Sequence, residues 1–420
     1  MSENRPASIW AGRTLALIAI VLLALNLRTA VASLSPVFDE IGADVPLTSV
    51  GIGVLGTLPP ICFAVFGLLA PAIARRVGLD TAILLSAAAM VVGHLLRGLS
   101  NGYPMLVATS VLVLGGVGIG NVLIPPAVKR YFPDKLGTLT ALSAALLATS
   151  AAIPPLVSAP LATSVGWRWD LSVWGIVALT SVAPWLWLWL RERRARMAAA
   201  LGDDPEVAPV PPLGRTWHSR VAWSTAIVFA ASSFSAYAMF AWLPAILRDT
   251  AGTDAFTAGA LLSLYAIAGV PTGILVPLIA VRIRNPGLLV FAGVALFLIG
   301  YGGLLLAPAA APWLWVTAAG FGPLLFPLAM VLINLRTRTQ NGSAALSGFT
   351  QGIGYIVGAT GPLLLGLLHQ LSGGWTLPLL LVTAVSLAAV PAGLALARPR
   401  MLEDDLAARA ARLAKPEVAR

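Results

Sequence analysis

The 420-residue chain has one cysteine, three histidines and only 10% charged residues. A lone cysteine, Cys62, permits no internal disulfide and no cysteine-based metal or iron–sulfur centre. Inside an apolar run it reads as a small buried hydrophobe rather than a reactive thiol. Scattered histidines without an acid in the apolar stretches exclude a dedicated catalytic metal site. No nucleotide-binding motif is present and no cofactor is implied. So little charge cannot coat a water-soluble globule of this size, because an ordinary soluble domain is about a quarter charged. What the chain has instead is apolar surface: 58% hydrophobic residues and a mean hydropathy of +0.88. Twelve spans of about 20 residues would use roughly 240 positions, which fits this length with room for short loops. A soluble enzyme is excluded; the expected fold class is an all-α membrane protein embedded in the lipid bilayer.

Apolar stretches punctuated by polar ones predict twelve transmembrane helices, at about 14–37, 47–72, 79–99, 104–128, 136–161, 170–190, 221–247, 256–281, 287–306, 312–335, 343–368 and 375–397. Charge alternates along the connections. The terminal segments and even-to-odd loops hold 23 of the 27 basic residues. The opposite side has Arg97, Arg168 and Arg248, and Arg28 stays inside helix 1. By the positive-inside rule both termini are cytoplasmic, so the net charge of +10 is an orientation signal and not a nucleic-acid footprint. The basic start, the run Leu15 to Leu25 and Ala30-Val31-Ala32 resemble a signal peptide. Arg28 falls between that run and the supposed cleavage point, where such peptides seldom carry charge, so the segment is expected to stay as helix 1.

The two halves repeat one another. Pro59 answers to Pro271, Pro155 to Pro362, and Gly166-Trp167 to Gly374-Trp375, at offsets that agree within a few residues. Two six-helix bundles are expected, residues 1–190 and 220–397, joined by a charged and then proline-rich linker at 191–219 that reads as mobile. His218 in the linker is expected to be solvated. Residues 398–420 place Leu402, Leu406, Ala410 and Leu413 at helical spacing, which predicts an amphipathic helix on the cytoplasmic face. Docking of a partner there is the alternative.

Intramembrane charge is costly, so it points to function by default. All 17 acidic residues fall in loops, tails or span ends, which disfavours a carboxylate-based cation pump. Arg28, about midway along helix 1, is the one deep charge. A guanidinium always protonated and planar suits a carboxylate or another small anion, and Ala24, Ala32 and Ser35 on its helical face leave room beside it. The alternative is a structural arginine bonded to backbone carbonyls. His94, one turn from Arg97, is a candidate proton relay, with helix packing as the commoner role for such a residue. Asn121 in helix 4, Tyr237 and Trp242 in helix 7, Asn334 in helix 10 and Gln351 and Tyr355 in helix 11 add sparse polarity among glycines. With Arg28 they make a mostly apolar small-ligand cavity. Glycine pairs such as Gly116/Gly120 and Gly354/Gly358 predict close helix approach. Seven tryptophans at span ends (Trp167, Trp169, Trp185, Trp187, Trp189, Trp313 and Trp375) fit an interfacial aromatic belt.

Several stretches resemble one branch of the major facilitator superfamily, the cyanate/nitroimidazole transporter family. They are NLRTAVASLSPVFDEI in helix 1, GIGNVLIPPAVKRYFPD in helix 4, GWRWDLSVWG entering helix 6, AYAMFAWLPAIL in helix 7, NLRTRT after helix 10 and LSGFTQGIGYIVGATGP in helix 11. The resemblance implies two six-helix bundles of the major facilitator fold with a central site between them. It also implies a small anion or small polar heterocycle as substrate, with Arg28, Asn121, Tyr237, Trp242, Gln351 and Tyr355 as substrate-binding positions. The loop after helix 2, PAIARRVGLD, departs from the superfamily's pattern by placing Arg75 where an acid is usual. The expected function is secondary or facilitative transport of a small anion across the bacterial inner membrane by alternating access, with a monomer as the expected unit. An exporter of neutral or aromatic compounds is the rival. A polytopic membrane enzyme is disfavoured, because the outer-loop acids Asp39, Glu40, Asp44, Asp249 and Asp254 have no histidine near them in sequence.

Overall fold

The computed structural model describes residues 13–198, 213–338 and 340–413. Twelve helical spans, α1 to α12, are long and apolar enough to cross a bilayer. They are Thr14–Asp44, Ser49–Ala74, Leu79–Gly98, Tyr103–Val128, Ala145–Val165, Trp167–Arg191, Arg220–Ala251, Ala255–Ala280, Gly287–Leu306, Pro312–Leu335, Ala345–Ser372 and Thr376–Leu396. All regular structure among the described residues is helical, as hydrocarbon requires of any backbone that cannot bond to water. Span ends carry the expected local chemistry. Thr48 caps α2 by accepting from the Gly51 amide (3.0 Å), and Asp254 caps α8 by accepting from Thr257 (2.6 Å). Gly78 (φ 88°) and Gly166 (φ 90°) supply the left-handed corners that let α3 follow α2, and α6 follow α5, without a loop.

Two hydrophobic cores result. One runs from Ala16 to Leu188 in α1–α6, the other from Val228 to Leu396 in α7–α12. Tyr355 of α11 packs on both, and Tyr237 of α7 belongs to the first. The chain is therefore a multi-pass membrane protein of two six-helix bundles.

The repeat seen in sequence is a repeat of contacts. The Trp167 indole donates to Asp44 (3.0 Å), and the Trp375 indole donates to Asp249 (2.8 Å). Each lies at the same end of its own half, away from the basic loops. The two sets of halves meet through the same matched pair of residues. A Cβ at Gly53 would stand 2.9 Å from the Pro362 carbonyl oxygen, and one at Gly259 would run into the Pro155 carbonyl oxygen. The seams α2/α11 and α5/α8 thus press glycine of one half against proline backbone of the other, which only a missing side chain allows.

Several expectations change. Of the tryptophans assigned to an aromatic belt, Trp169, Trp187 and Trp313 are exposed, but Trp167, Trp185 and Trp375 are buried; Trp185 donates to the Ala19 carbonyl (3.0 Å). A polar handle in apolar surroundings finds a partner inside. The helix of α6 continues to Ala198, into the segment read as a linker, whose residues 199–212 lie outside the described residues. The tail helix α13, Leu402–Leu413, docks on its own half. Leu402 is buried against Ala222, Ile333 and Phe349, and Asp405 accepts from Ser219 (2.9 Å) and from the Val221 amide (3.1 Å) at the start of α7.

Candidate functional site

The break in α1 builds the site. Helical bonding lapses at Leu27, and Arg28 begins a new turn at φ −122°, ψ −9°. Loosened carbonyls find side-chain donors: Asn26 Nδ2 to Leu22 (2.7 Å), Thr29 Oγ1 to Asn26 (2.9 Å) and Arg97 Nη1 to Ala30 (2.9 Å). Such repair is what lets an interrupted helix persist in hydrocarbon, and interrupted helices recur where transporters bind their substrates.

Arg28 is half-buried, its guanidinium 5.2 Å from the Phe63 ring centroid of α2. Tyr237 of α7 lies within reach of the Arg28 charge and meets Phe63 edge-on at 6.4 Å. Tyr355 of α11 feels the Arg28 charge and packs edge-on against Phe229 at 5.3 Å. Among the described residues no carboxylate pairs with Arg28. A permanent cation faces two phenols from the opposite half, beside an aromatic ring that binds cations through its face. The arrangement offers charge, hydrogen bonds and flat apolar walls at the boundary between bundles.

The other predicted site residues are placed differently. Gln351 lies one turn before Tyr355 and donates to Ser347 Oγ (2.8 Å). Asn121 is half-buried on α4, one turn past Gly118, where α4 touches the backbone of Cys62 and Phe63. Asn334 is exposed near the end of α10. Trp242 is not brought to Arg28. Its indole donates to the Pro362 carbonyl (2.8 Å), and its ring packs against Trp375 at 5.4 Å beside the His369–Trp375 stack at 4.0 Å. His94 is buried where α3 packs on α6, beside Gly175, at which a Cβ would stand 3.2 Å from the His94 Cβ; its Nδ1 has no partner.

Arg97 needs the largest correction. Counted from sequence among the outer-loop bases, it is 1% exposed and turned into the bundle. Its Nε donates to Ser110 Oγ (3.0 Å) and its Nη1 to the Ala30 carbonyl (2.9 Å). Among the described residues no carboxylate pairs with it either. It lines a cavity of about 20 Å³ with Ser35, Gly56, Tyr237 and Phe240, and the buried Ser35 hydroxyl has no partner. That volume holds about one water-sized group. Loop counting hid this residue because it ends α3; its position one turn from His94, between Gly93 and Gly98, was the available signal. Phe63 was missed because an aromatic in an apolar run carries no mark of its own. Asp170, in the first turn of α6, is fully buried, and both of its carboxylate oxygens lack a hydrogen-bond partner. Among the described residues no group of three metal-ligating side chains exists.

One end of the space between halves is sealed. Asp39 of α1 pairs with Arg248 of α7 (2.6 Å), Ser49 of α2 meets His369 of α11 (3.4 Å), and a Cβ at Gly366 would stand 2.5 Å from the Ser49 carbonyl oxygen. At the opposite, basic end the pairs Arg13 with Asp134 and Arg338 with Asp404 each stay within one half.

Two repeated bundles meet around a half-buried cation, with contacts between them that seal one end. The chain belongs to the Major Facilitator Superfamily, whose family model matches residues 16–359. It is 33% identical over 389 residues to the uncharacterized transporter YycB of Bacillus subtilis, covering 91% of this chain and 93% of that one. It is 30% identical to the 2-nitroimidazole transporter of Escherichia coli (91% and 95% covered) and 27% identical to the cyanate transport protein CynX of the same organism (86% and 91% covered). These relatives make it a transporter of the cyanate/nitroimidazole type and not an enzyme. The fold matches that of a bacterial homologue of the human lysosomal transporter Spinster, solved inward-facing and unoccupied, with a TM-score of 0.70 at 14% identity over 96% of this chain and 99% of that one.

Proposed function

We propose that this protein moves a small anion across the bacterial inner membrane by alternating access. Arg28 carries the reading: a fixed positive charge within α1, unpaired by any carboxylate among the described residues, facing Tyr237 and Tyr355 of the other half. An anion completes that charge with charge-assisted hydrogen bonds, and the tyrosines hold it from the opposite bundle. The CynX relative, named for cyanate, supports the class. Gln351 and Asn121 extend the polar lining toward the basic end, and Trp242 closes it toward the sealed end. With the basic loops and both termini facing the cytoplasm, the sealed end is the outer one. The boundaries 1–190, 191–219, 220–397 and 398–420 then mark the first bundle, linker, second bundle and tail. Arg97, reached from Tyr237 through the small cavity, is the next cation on the outward route, and His94 one turn away is the candidate for passing a proton.

A second reading is export of neutral aromatic compounds. The rings of Phe63, Tyr237, Phe229 and Tyr355 favour it, as does the 2-nitroimidazole relative. Thermal unfolding of the purified protein with cyanate, small carboxylates or a neutral nitroheterocycle separates the two. A ligand at about 100 times its dissociation constant stabilises by roughly 2.7 kcal/mol. Anion transport predicts that cyanate or a carboxylate stabilises the wild type, and that Arg28→Gln folds but ignores it. Stabilisation of both proteins by the neutral heterocycle alone would sink the anion reading and leave the exporter.

A further inference from the structure

A separate cavity of about 260 Å³ opens at the basic end of the second half, away from the Arg28 site. Four arginines line it from three elements: Arg220 at the start of α7, Arg336 just past α10, and Arg398 and Arg400 after α12. Three are exposed. Arg336 is 6% exposed, its Nη2 donates to the Leu396 carbonyl (2.6 Å), and its buried Nε has no hydrogen-bond partner. The nearby acids are turned elsewhere. Asp405 caps α7 through Ser219 and Val221, Asp404 is held by Arg338, and Glu403 accepts from the Arg338 amide (3.0 Å). No acid lines the cavity. Four like charges around one space repel unless an anion sits among them. Guanidinium forks fit phosphate oxygens in pairs. The remaining wall includes Leu394 and Ala395 on the exposed, lipid-facing side of α12, so an occupant can carry an apolar tail.

We propose that this cavity binds a phosphate group, supplied by an anionic phospholipid headgroup or by free phosphate, and that the bound group ties the start of α7 to the ends of α10 and α12. A basic pocket between spans on the cytoplasmic side is the general form of such sites. The site is independent of the transported substrate, since none of its residues touches Arg28, Tyr237 or Tyr355.

The test titrates detergent-purified, full-length protein with phosphatidylglycerol, phosphatidylcholine and inorganic phosphate, reading the unfolding midpoint and the lipid retained in native mass spectra. Phosphatidylglycerol should raise the midpoint and leave one tightly held lipid, while phosphatidylcholine does neither. Combining Arg220→Gln, Arg398→Gln and Arg400→Gln alters exposed side chains only and should raise the phosphatidylglycerol needed for the same shift by about tenfold. Arg282→Gln with Arg284→Gln, at the same end but outside the cavity, should behave as wild type. A shift with inorganic phosphate that the triple variant loses supports the site and assigns its occupant to the water phase. Equal response to both lipids, an equal loss in the Arg282/Arg284 control, or no response to any probe overturns the proposal.

Discussion

The two halves share a plan and divide its chemistry. In the first half α2 to α6 are single helices and only α1 is interrupted, whereas in the second α8, α10 and α12 are each broken, at Ala268, Gly322–Leu324 and Ala388. The first half buries charge: Arg97, His94 and Asp170 lie within or beside its core. The second buries one arginine, Arg336, at its basic end, and its interior polar cluster is made of hydroxyls, with Ser235 bonded to Tyr301 and Tyr265 close to both. Its central helix α7 is the most enclosed span, 83% buried across its most apolar window. A buried cation needs carbonyls and hydroxyls held around it, and Arg97 takes them from the broken α1 at Ala30 and the unbroken α4 at Ser110. Broken helices bend at defined points. The first half carries the deep cations Arg28 and Arg97, and the second presents Tyr237 and Tyr355 to Arg28.

The sharpest way to break that comparison is to remove matched buried groups. Arg97→Met strands the Ala30 carbonyl and the Ser110 hydroxyl and should cost about 3 kcal/mol, each buried acceptor being worth ~1–3 kcal/mol. Tyr301→Phe in the second half should cost only about 1 kcal/mol. Unfolding midpoints in detergent measure both, and equal losses would end the claim that the first half depends on charge.

The seams come next. Gly259→Ala should disturb the α5/α8 seam by about 2 kcal/mol of overpacking, and Gly53→Ala the α2/α11 seam by less, because its Cβ would have 2.9 Å to the Pro362 oxygen. The readout is the rate at which an impermeant maleimide labels a cysteine placed at Ser35, in a Cys62→Ser background. Gly259→Ala should label faster than Gly53→Ala, and both faster than the parent.

A smaller difference separates the indole bonds. Trp375→Phe should cost about 1 kcal/mol by freeing Asp249. Trp167→Phe should cost less than half as much, because Asp44 keeps Arg168. The smallest effect belongs to the exposed Arg13–Asp134 pair. The Arg13 guanidinium holds the Asp134 carboxyl below the usual carboxylate range. A depressed folded-state pKa contributes stability that is complete above the ordinary carboxylate value and fades as pH falls through the depressed one. Wild type and Arg13→Gln should therefore differ slightly at neutral pH and converge in acid, as midpoints across that range will register.

Most of the fold was legible. Twelve apolar runs, matched prolines and the Gly-Trp pairs predicted twelve spans and their repeat, because hydrocarbon permits little besides long helices and the repeat is written in residues with special backbone needs. Even so, the left-handed corner of the second Gly-Trp site falls on Gly373 and not Gly374, a one-residue shift that spacing does not reveal. The site was half legible. Arg28, Tyr237 and Tyr355 lie together across the boundary between halves, since one is charged and the others are polar on helices that face it. Trp242 went to the stack at the sealed end, where its indole donates to the Pro362 carbonyl and its ring meets Trp375. Arg97 was misplaced, since charge at a span end looks alike whether it points out or in.

One tetrapeptide separates the two kinds of information. Asn-Leu-Arg-Thr occurs at Asn26–Thr29 and again at Asn334–Thr337, and in both places a helix lapses at the arginine while the threonine bonds back to a carbonyl of the preceding turn. That local behaviour belongs to the sequence. Where each arginine points belongs to the tertiary structure: Arg28 faces phenols across the boundary between halves, and Arg336 faces three other arginines at a basic rim. The backbone menu is settled by neighbours in the chain, but the partner of a long flexible cation is settled by which distant helices happen to enclose it.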